Sequence, residues 1–311
     1  MSLESVKPNV KLHTLVYDLP SEDYHRSVEG YSSSQFKDAL EDEEIFVAKH
    51  VRKVVEREEL AAFDVGTYFH TGVLEPHKIN DDCIVYPGKV RRGEQWEAFK
   101  KKHSGKAIVT QAQKEQAEGL VRSVQESPVA QEFLEGESEV SLFTTIVIVD
   151  GEIVAPHWKK KLTLEGWVPW SGRPKKCFTM TVKVRADKLG KWFISDLKST
   201  TGNAKSNQEM RQKISYYNYD LSAALYLDMF QLVRPSVSDF IWIFASKDYL
   251  NSRTYKASPT NIRVGRGKYM RAMLKIAECA AANWKSVDYL DTLEPLPHEL
   301  GWAQERDIDL L

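Results

Sequence analysis

FTMTVKVRADKLGKWFISDLKST, residues 178–200, reads as two strands joined by a tight turn. Phe178, Met180, Val182 and Val184 alternate with Thr179, Thr181, Lys183, Arg185 and Asp187, the period-two pattern of a strand with two different faces. Residues 188–191, KLGK, then return the chain into WFISDLKST. Such a hairpin puts Asp187 and Asp196 on adjacent antiparallel strands near a common end. Asp196 and Lys198 fall two apart, so they project from the same face of the second strand. A carboxylate and an ammonium placed this way form either a structural ion pair or part of a reactive site. Asp187 tilts the choice, because two carboxylates at one strand end repel unless a cation or a proton lies between them.

Magnesium suits that position. It takes oxygen ligands, one or two carboxylates with water and substrate phosphate, and keeps open positions for chemistry. Lys198 would orient and help deprotonate an attacking water, or offset charge on a pentavalent transition state. Two carboxylates, a metal and a lysine are the minimal equipment for phosphodiester hydrolysis.

Outward from this hairpin, the period of the sequence changes twice. Upstream, residues 1–135 read as mainly helical. SSSQFKDALEDEEIFVAKHV begins with serines suited to capping, and TQAQKEQAEGLVRSVQESPVAQEFL carries helical spacing with a cap at Thr110 and a break near Pro128. GTYFHTGVLEP is a short apolar segment closed by Pro76, and RRGEQWEAFKKKH is helical. From Glu139 the pattern alternates through EVSLFTTIVIVDGEIVAPHW, with Asp150-Gly151 as a hairpin turn. Downstream, SNQEMRQKISYYNYDLSAALYLDMFQL predicts one long helix with Met210, Ile214, Tyr217, Leu221 and Leu225 on its core face and Tyr219, Ser222 and Tyr226 on a second stripe. SDFIWIFAS predicts a buried strand, and GKYMRAMLKIAECAAANW a closing amphipathic helix. Helices, a strand meander, then helix, strand, helix imply an α+β (mixed α/β) fold, a central mixed sheet flanked by helices, in one domain over 1–311.

Whole-chain properties exclude several classes. Forty-three basic against forty-four acidic side chains give a formal charge of -1, so any polyanionic partner must be met by local patches. Three cysteines at 83, 177 and 279 lack paired or zinc-like spacing, which points to a reducing, cytoplasmic setting. Three also cannot supply the four ligands of an iron-sulfur cluster. The N-terminal twenty residues have no apolar core of signal length, and no run approaches the roughly eighteen apolar residues that span a bilayer.

VRAD followed by DLK resembles the D…(D/E)xK signature of the PD-(D/E)xK nuclease superfamily. Five more elements, in order, resemble the RecE-type exonucleases (exonuclease VIII), relatives of lambda exonuclease and of the RecB nuclease domain. They are YHRSVEGYSSSQF, FDVGTYFHTGVLEP, RRGEQWEAF and EVSLF, and YYNYDLSAALYLD follows the signature. The resemblance implies a restriction-endonuclease-like core. It further implies a Mg2+ (or Mn2+) site of His70, Asp187, Asp196 and the Leu197 carbonyl, with Lys198 as the catalytic lysine and Tyr226 beside it. Glu139, Ser222 and Tyr219 fall at supporting positions, and Ser33, Ser34 and Arg26 are candidates for a terminal phosphate. The implied activity is degradation of linear double-stranded DNA from its ends, 5'-to-3', leaving 3' overhangs for an annealing partner of the RecT type. A ring-shaped homo-oligomer, a tetramer by preference, is implied too, in the bacterial host cytoplasm if phage-encoded.

Two departures stand out: Ser222 where the family has glutamine, and Ala186 where it has proline. They leave open a non-catalytic DNA-binding or recombination scaffold that keeps the fold. An insert at about 153–176 interleaves Lys159, Lys160, Lys161, Arg173, Lys175 and Lys176 with Trp158, Trp167 and Trp170. That mixture suits a DNA-gripping arm or a subunit contact, and Arg185 is a further DNA-binding candidate. Arg263, Arg266, Lys268, Arg271 and Lys275 read either as a solvated face or as a phosphate track.

Overall fold

The computed structural model describes residues 11–27, 29–55, 61–88, 90–172 and 177–285. A short strand, β1 (Leu15–Val16), precedes α1 (Ser33–Glu41), α2 (Glu43–Phe46), α3 (Ala61–Leu74) and α4 (Ile79–Asp82). Next come β2 (Cys83–Tyr86), α5 (Glu94–Lys102), β3 (Ala107–Thr110), α6 (Gln111–Gln125) and α7 (Pro128–Glu132). The starts of these helices follow their capping residues. The Ser32 N–H donates to Gln35 Oε1 at 2.9 Å, and Thr110 and Gln113 cap α6 reciprocally at 2.9 and 3.3 Å. Pro128 opens α7 instead of merely ending α6, with Ser127 accepting the Ala130 N–H at 3.3 Å. The helical part also holds a parallel pair, β2 and β3, that four-residue apolar runs do not announce.

The sheet is built from β4 (Glu137–Val149), β5 (Glu152–Ala155), β6 (Lys160–Thr163), β7 (Gly166–Pro169), β8 (Phe178–Leu189), β9 (Phe193–Thr200), β10 (Asp239–Ser246) and β11 (Ser252–Lys256). Their order is β11-β10-β9-β8-β4-β5-β6-β7, with β1 also on β4, and only the β9–β10 pair is parallel. The turn between β4 and β5 is the expected Asp150-Gly151, with φ of 50° and 77°, the left-handed pair that matches strand twist. Between β9 and β10 run α8 (Asn207–Tyr216) and α9 (Tyr219–Val233), and α10 (Pro259–Ala281) closes the described chain.

Helices cover the sheet on both faces. Along β10, Phe240, Trp242 and Phe244 join Ile194 and residues of α9 and α10 on one side. Ile241, Ile243 and Ala245 join Leu197, Phe69, Leu120 and Val124 of α3 and α6 on the other. Burial on both faces explains why this strand reads as a continuous apolar run. The result is the expected mixed α+β architecture, a central mixed sheet flanked by helices. None of the described helices is long and apolar enough to cross a membrane.

Three expectations change. The predicted long helix over 206–232 is two helices, α8 and α9, because Asn218 takes a left-handed conformation, φ 49°, and interrupts the hydrogen-bond ladder. Tyr217, placed on the core face by the unbroken periodicity, is therefore 45% exposed. As far as it is described, through residue 172, the insert is regular: it adds β5, β6 and β7 to the sheet, Trp158 and Trp167 pack against the main core, and Trp170 packs on Val147, Val149 and Val154. Of the α10 cations, Arg263 and Arg271 are exposed as a solvated face requires, while Arg266 and Lys268 are drawn into the fold. Arg266 is buried and holds Asp228 with two 2.8 Å bonds, while Lys268 bonds Asp220 at 2.8 Å. Gly265 makes this closeness possible, since a Cβ there would run into the Asp220 carbonyl of α9.

Candidate active site

The candidate site lies where β9 parts from β8. The two strands are paired at Lys188–Ser195 and Leu189–Ile194, and extending this register places Asp187 opposite Asp196. Pairing stops there. The Asp187 carboxylate itself accepts the Leu197 N–H at 2.7 Å, a side chain replacing the backbone partner that β8 no longer offers. Further back along β8, Tyr31 takes the vacated edge: its N–H donates to Thr181 O at 2.8 Å and its carbonyl accepts the Lys183 N–H at 2.9 Å. Because α1 begins directly after Tyr31, the fork brings the start of α1 to the divergence of the strands.

Five candidate side chains meet around this fork. Lys198 Nζ lies 2.6 Å from Asp196 Oδ2 and donates to the Leu197 carbonyl at 3.2 Å. His70, on α3, sets Nδ1 3.6 Å from Asp187 Oδ2. Glu139 stands on β4 opposite Asp187, since Ser138–Lys188 and Val140–Ala186 flank it in register. Its φ of 52° is rare for a non-glycine residue inside a strand, and strain of this kind gathers at functional sites. Burial, then the nearby Asp187 charge, pushes the Glu139 carboxyl up to about 8. Burial and Asp187 likewise push Asp196 upward against the pull of Lys198. The Lys198 amine is opposed by burial, yet the Asp196 and Asp187 carboxylates hold it above the ordinary lysine range.

Helix α9 forms the opposite wall. Tyr219, Ser222 and Tyr226 follow one another along one stripe, as their spacing predicts. Lys198 Nζ lies 5.5 Å from the Tyr219 ring centre, and the Tyr226 hydroxyl is 3.5 Å from Ser33 Oγ. Burial raises the Tyr226 phenol to about 12, so it is a neutral hydroxyl. Ser34 is exposed and bonds Ser32 at 2.9 Å, away from that contact.

One residue here was not foreseen. Lys37, one helical turn after Ser33 on α1, places Nζ 5.2 Å from the same Tyr219 ring. Burial, and then the like charge of Lys198, lowers its amine to about 8. Its i, i+4 relation to Ser33 is a signal in the sequence, but only knowledge that Ser33 lies at the site would have made it legible.

Other candidates fall elsewhere. Arg185 is taken up inside the fold: it is 8% exposed, bonds Ser141 Oγ and the Leu19 carbonyl at 2.8 Å each, lies 3.5 Å from Glu139 and stacks 4.3 Å over Tyr24. The N-terminal segment covers the face of β8 that alternation left polar. Lys159 is exposed and Lys160 half-buried on the far edge of the sheet. Arg173 and the Arg26 side chain lie outside the described residues, as do Lys175 and Lys176.

Among the described residues no three His, Cys, Asp or Glu side chains already converge as a metal cage. The donor set nonetheless fits a hard divalent cation in kind: three carboxylates, an imidazole and a backbone carbonyl, with burial first and the neighbouring Asp187 charge after it raising Glu139 and Asp196. The Lys198 ammonium now supplies the positive charge beside Asp196.

Comparison with known proteins agrees with this fold. A family described as a PDDEXK-like domain of unknown function (DUF3799) matches residues 32–162, a stretch that includes His70 and Glu139 and stops before Asp187. A crystal structure described as a "Putative exonuclease" from Eubacterium rectale superposes with a TM-score of 0.54 at 14% identity. It covers 93% of this chain and 99% of that one. No curated protein matches the chain. At that identity the likeness to the solved structure shows the fold alone, and the PDDEXK-like description comes from the family matched over residues 32–162.

Proposed function

We propose that the protein is a divalent-metal-dependent nuclease that hydrolyses phosphodiester bonds of DNA at the β8–β9 fork. The observation that carries this reading is the surplus of acid there. Glu139, Asp187 and Asp196 stand side by side on three neighbouring strands, with Lys198 beside Asp196 and Arg185 3.5 Å from Glu139, and carboxyls crowded this way are costly to ionise together unless a cation or a proton lies between them. The fold likeness and the sequence signature support the same class.

His70, Asp187, Asp196 and the Leu197 carbonyl would hold Mg2+ or Mn2+, with Glu139 beside them. When bound, such an ion polarises a phosphate oxygen and lowers the pKa of a water. The chain's own groups do the rest. Lys198 positions the attacking water and offsets charge on the phosphate. Tyr219 fixes the lysine from one side, and Tyr226 and Ser33 tie α1 to α9 across the site. The finer reading is a RecE-type exonuclease working 5'-to-3' from duplex ends, as a homo-oligomer alongside an annealing protein of the RecT type, in the bacterial cytoplasm. It rests on the ordered motifs of the sequence.

Incubation of linear and circular duplex DNA with Mg2+ tests both levels. Nucleotide release from the linear form, lost on chelation and lowered by about 10²- to 10³-fold in Lys198→Ala, is expected. Binding without release in the wild-type protein would leave only a DNA-binding scaffold. Release from circular DNA would keep the nuclease and remove the exonuclease.

A further inference from the structure

Tyr216 and Tyr217 have no part in the site just described. Tyr216 is 79% exposed, more than any other large hydrophobic side chain among the described residues, and Tyr217 is 45% exposed. An aromatic ring left in water forgoes its burial energy, so its position needs another cause. Two causes lie in the backbone: Tyr216 ends α8 on the face away from buried Met210 and Ile214, and the Asn218 break takes Tyr217 off the core face that continuous periodicity gives it. The break is held firmly: Lys268 Nζ donates to Asn218 Oδ1 at 2.8 Å and to both Asp220 oxygens at 2.9 and 2.8 Å.

The outward rings lead to the candidate site in contact steps. Tyr216 meets Tyr217 edge-on, with centres 4.9 Å apart at 89°; Tyr217 stacks on Tyr219 at 5.4 Å and 26°. Tyr219 in turn lies 5.5 Å from Lys198 Nζ. Lys213, half-buried on α8 one turn before the tyrosines and so on their side of the helix, brings an ammonium that donates to Thr201 Oγ1 at 2.8 Å. A face of π-electrons with a cation on the same side of the helix, continuous with the phosphodiester site, matches one ligand chemistry: a nucleobase without its pairing partner, joined to a phosphate backbone.

We propose that Tyr216 and Tyr217 form a stacking platform for an unpaired base of the nucleic-acid strand whose backbone runs past Lys198. This rests on the nuclease reading for the path of the strand. The platform takes a base of any identity, since every base has a π-face. Paired bases, hidden in the duplex stack, are not received, so the platform selects frayed or single-stranded positions.

The test is affinity, measured under chelation so that cleavage cannot intervene. The probes are a duplex with a short single-stranded tail and the same duplex with abasic tail positions. Tyr216→Ala is expected to bind the normal tail about tenfold more weakly, while Tyr216→Phe and Tyr216→Trp bind as the wild type. The abasic tail is expected to cost the wild type a similar factor and Tyr216→Ala nothing further. An unchanged affinity in Tyr216→Ala, or an equal loss on both tails, overturns the platform. If that pattern holds but wild-type protein with Mg2+ releases no nucleotide, the nuclease reading fails and the platform stands. If release occurs and Tyr216→Ala behaves as the wild type, the platform alone fails.

Discussion

Asp228 and Asp196 are both carboxylates sunk below the surface, 0% and 7% exposed, each facing a long cation, and the fold treats them in opposite ways. Asp228, in the middle of α9, receives Arg266 Nε and Nη2 at 2.8 Å each and the Tyr269 hydroxyl at 2.6 Å. The remaining Arg266 nitrogen reaches the Leu164 carbonyl at 2.6 Å, and Trp167 Nε1 reaches the Asp228 carbonyl at 2.8 Å. Charge is balanced, donors are matched and three elements are tied together. At the fork, by contrast, one ammonium faces Asp196 with Asp187 and Glu139 alongside, and a strand has left the ladder to make room. A buried ion pair whose partners are all satisfied belongs to the scaffold. One with crowded carboxyls and a broken ladder is where the proposed chemistry would sit.

The largest expected effect tests that contrast directly. Asp228→Ala leaves the Arg266 guanidinium buried without its partner, and unfolding free energy is expected to fall by about 3–5 kcal/mol, read by denaturant titration. Asp187→Asn in metal-free protein is expected to stay within about 1 kcal/mol of the wild type. The amide oxygen still accepts the Leu197 N–H, and the lost charge relieves Glu139 and Asp196. Equal losses in the two variants would erase the distinction between knot and fork.

Lys37 sharpens the contrast from the cation side. With its amine lowered to about 8, it is less protonated in the folded than in the unfolded chain between that value and the ordinary lysine value of about 10.5. Unfolding free energy should therefore rise with pH across this window, and below it the folded state bears the full cost of a buried charge. Lys37→Met is expected to be about 1 kcal/mol more stable than wild type near neutral pH, screening allowed for, with the advantage fading towards pH 10. The same variant is expected to bind DNA about tenfold more weakly, as a lost cation–phosphate contact requires. A stability gain with unchanged affinity would make Lys37 a bystander of the fork.

The sequence carried the β8–β9 hairpin, the Asp150-Gly151 turn and the helix starts at Ser32 and Thr110, because two-residue alternation and capping chemistry are local. It also carried the placement of Asp187 beside Asp196 and of Tyr219 and Tyr226 on one stripe, since both follow from register and helical period. The parts that were not legible depend on distant chain. Arg185 looks like a free cation until the segment around Leu19 and Tyr24 covers it, and Arg266 looks solvated until Asp228 arrives from another helix. The Asn218 break was hidden because apolar spacing continues through it, while left-handed backbone at a lone asparagine leaves little trace in the pattern. Lys37 needed the fork itself, which opens only because Tyr31 takes the edge that β9 gives up.

The smallest expected effect decides what the tryptophans of the β5–β7 segment are for. Trp167 reads as a nucleic-acid contact from composition, yet its indole N–H is given to the Asp228 carbonyl at 2.8 Å and its ring packs on the main core. Trp167→Phe keeps most of the packing and removes that one bond. The carbonyl it leaves lies inside α9, where the helix already offers it a partner, so no orphaned group results. The expected loss is therefore about 1 kcal/mol of unfolding free energy with DNA affinity unchanged. A variant of wild-type stability with weakened DNA binding would reverse the assignment, moving Trp167 from the Asp228 knot to the binding surface and returning the segment to the role its lysines first implied.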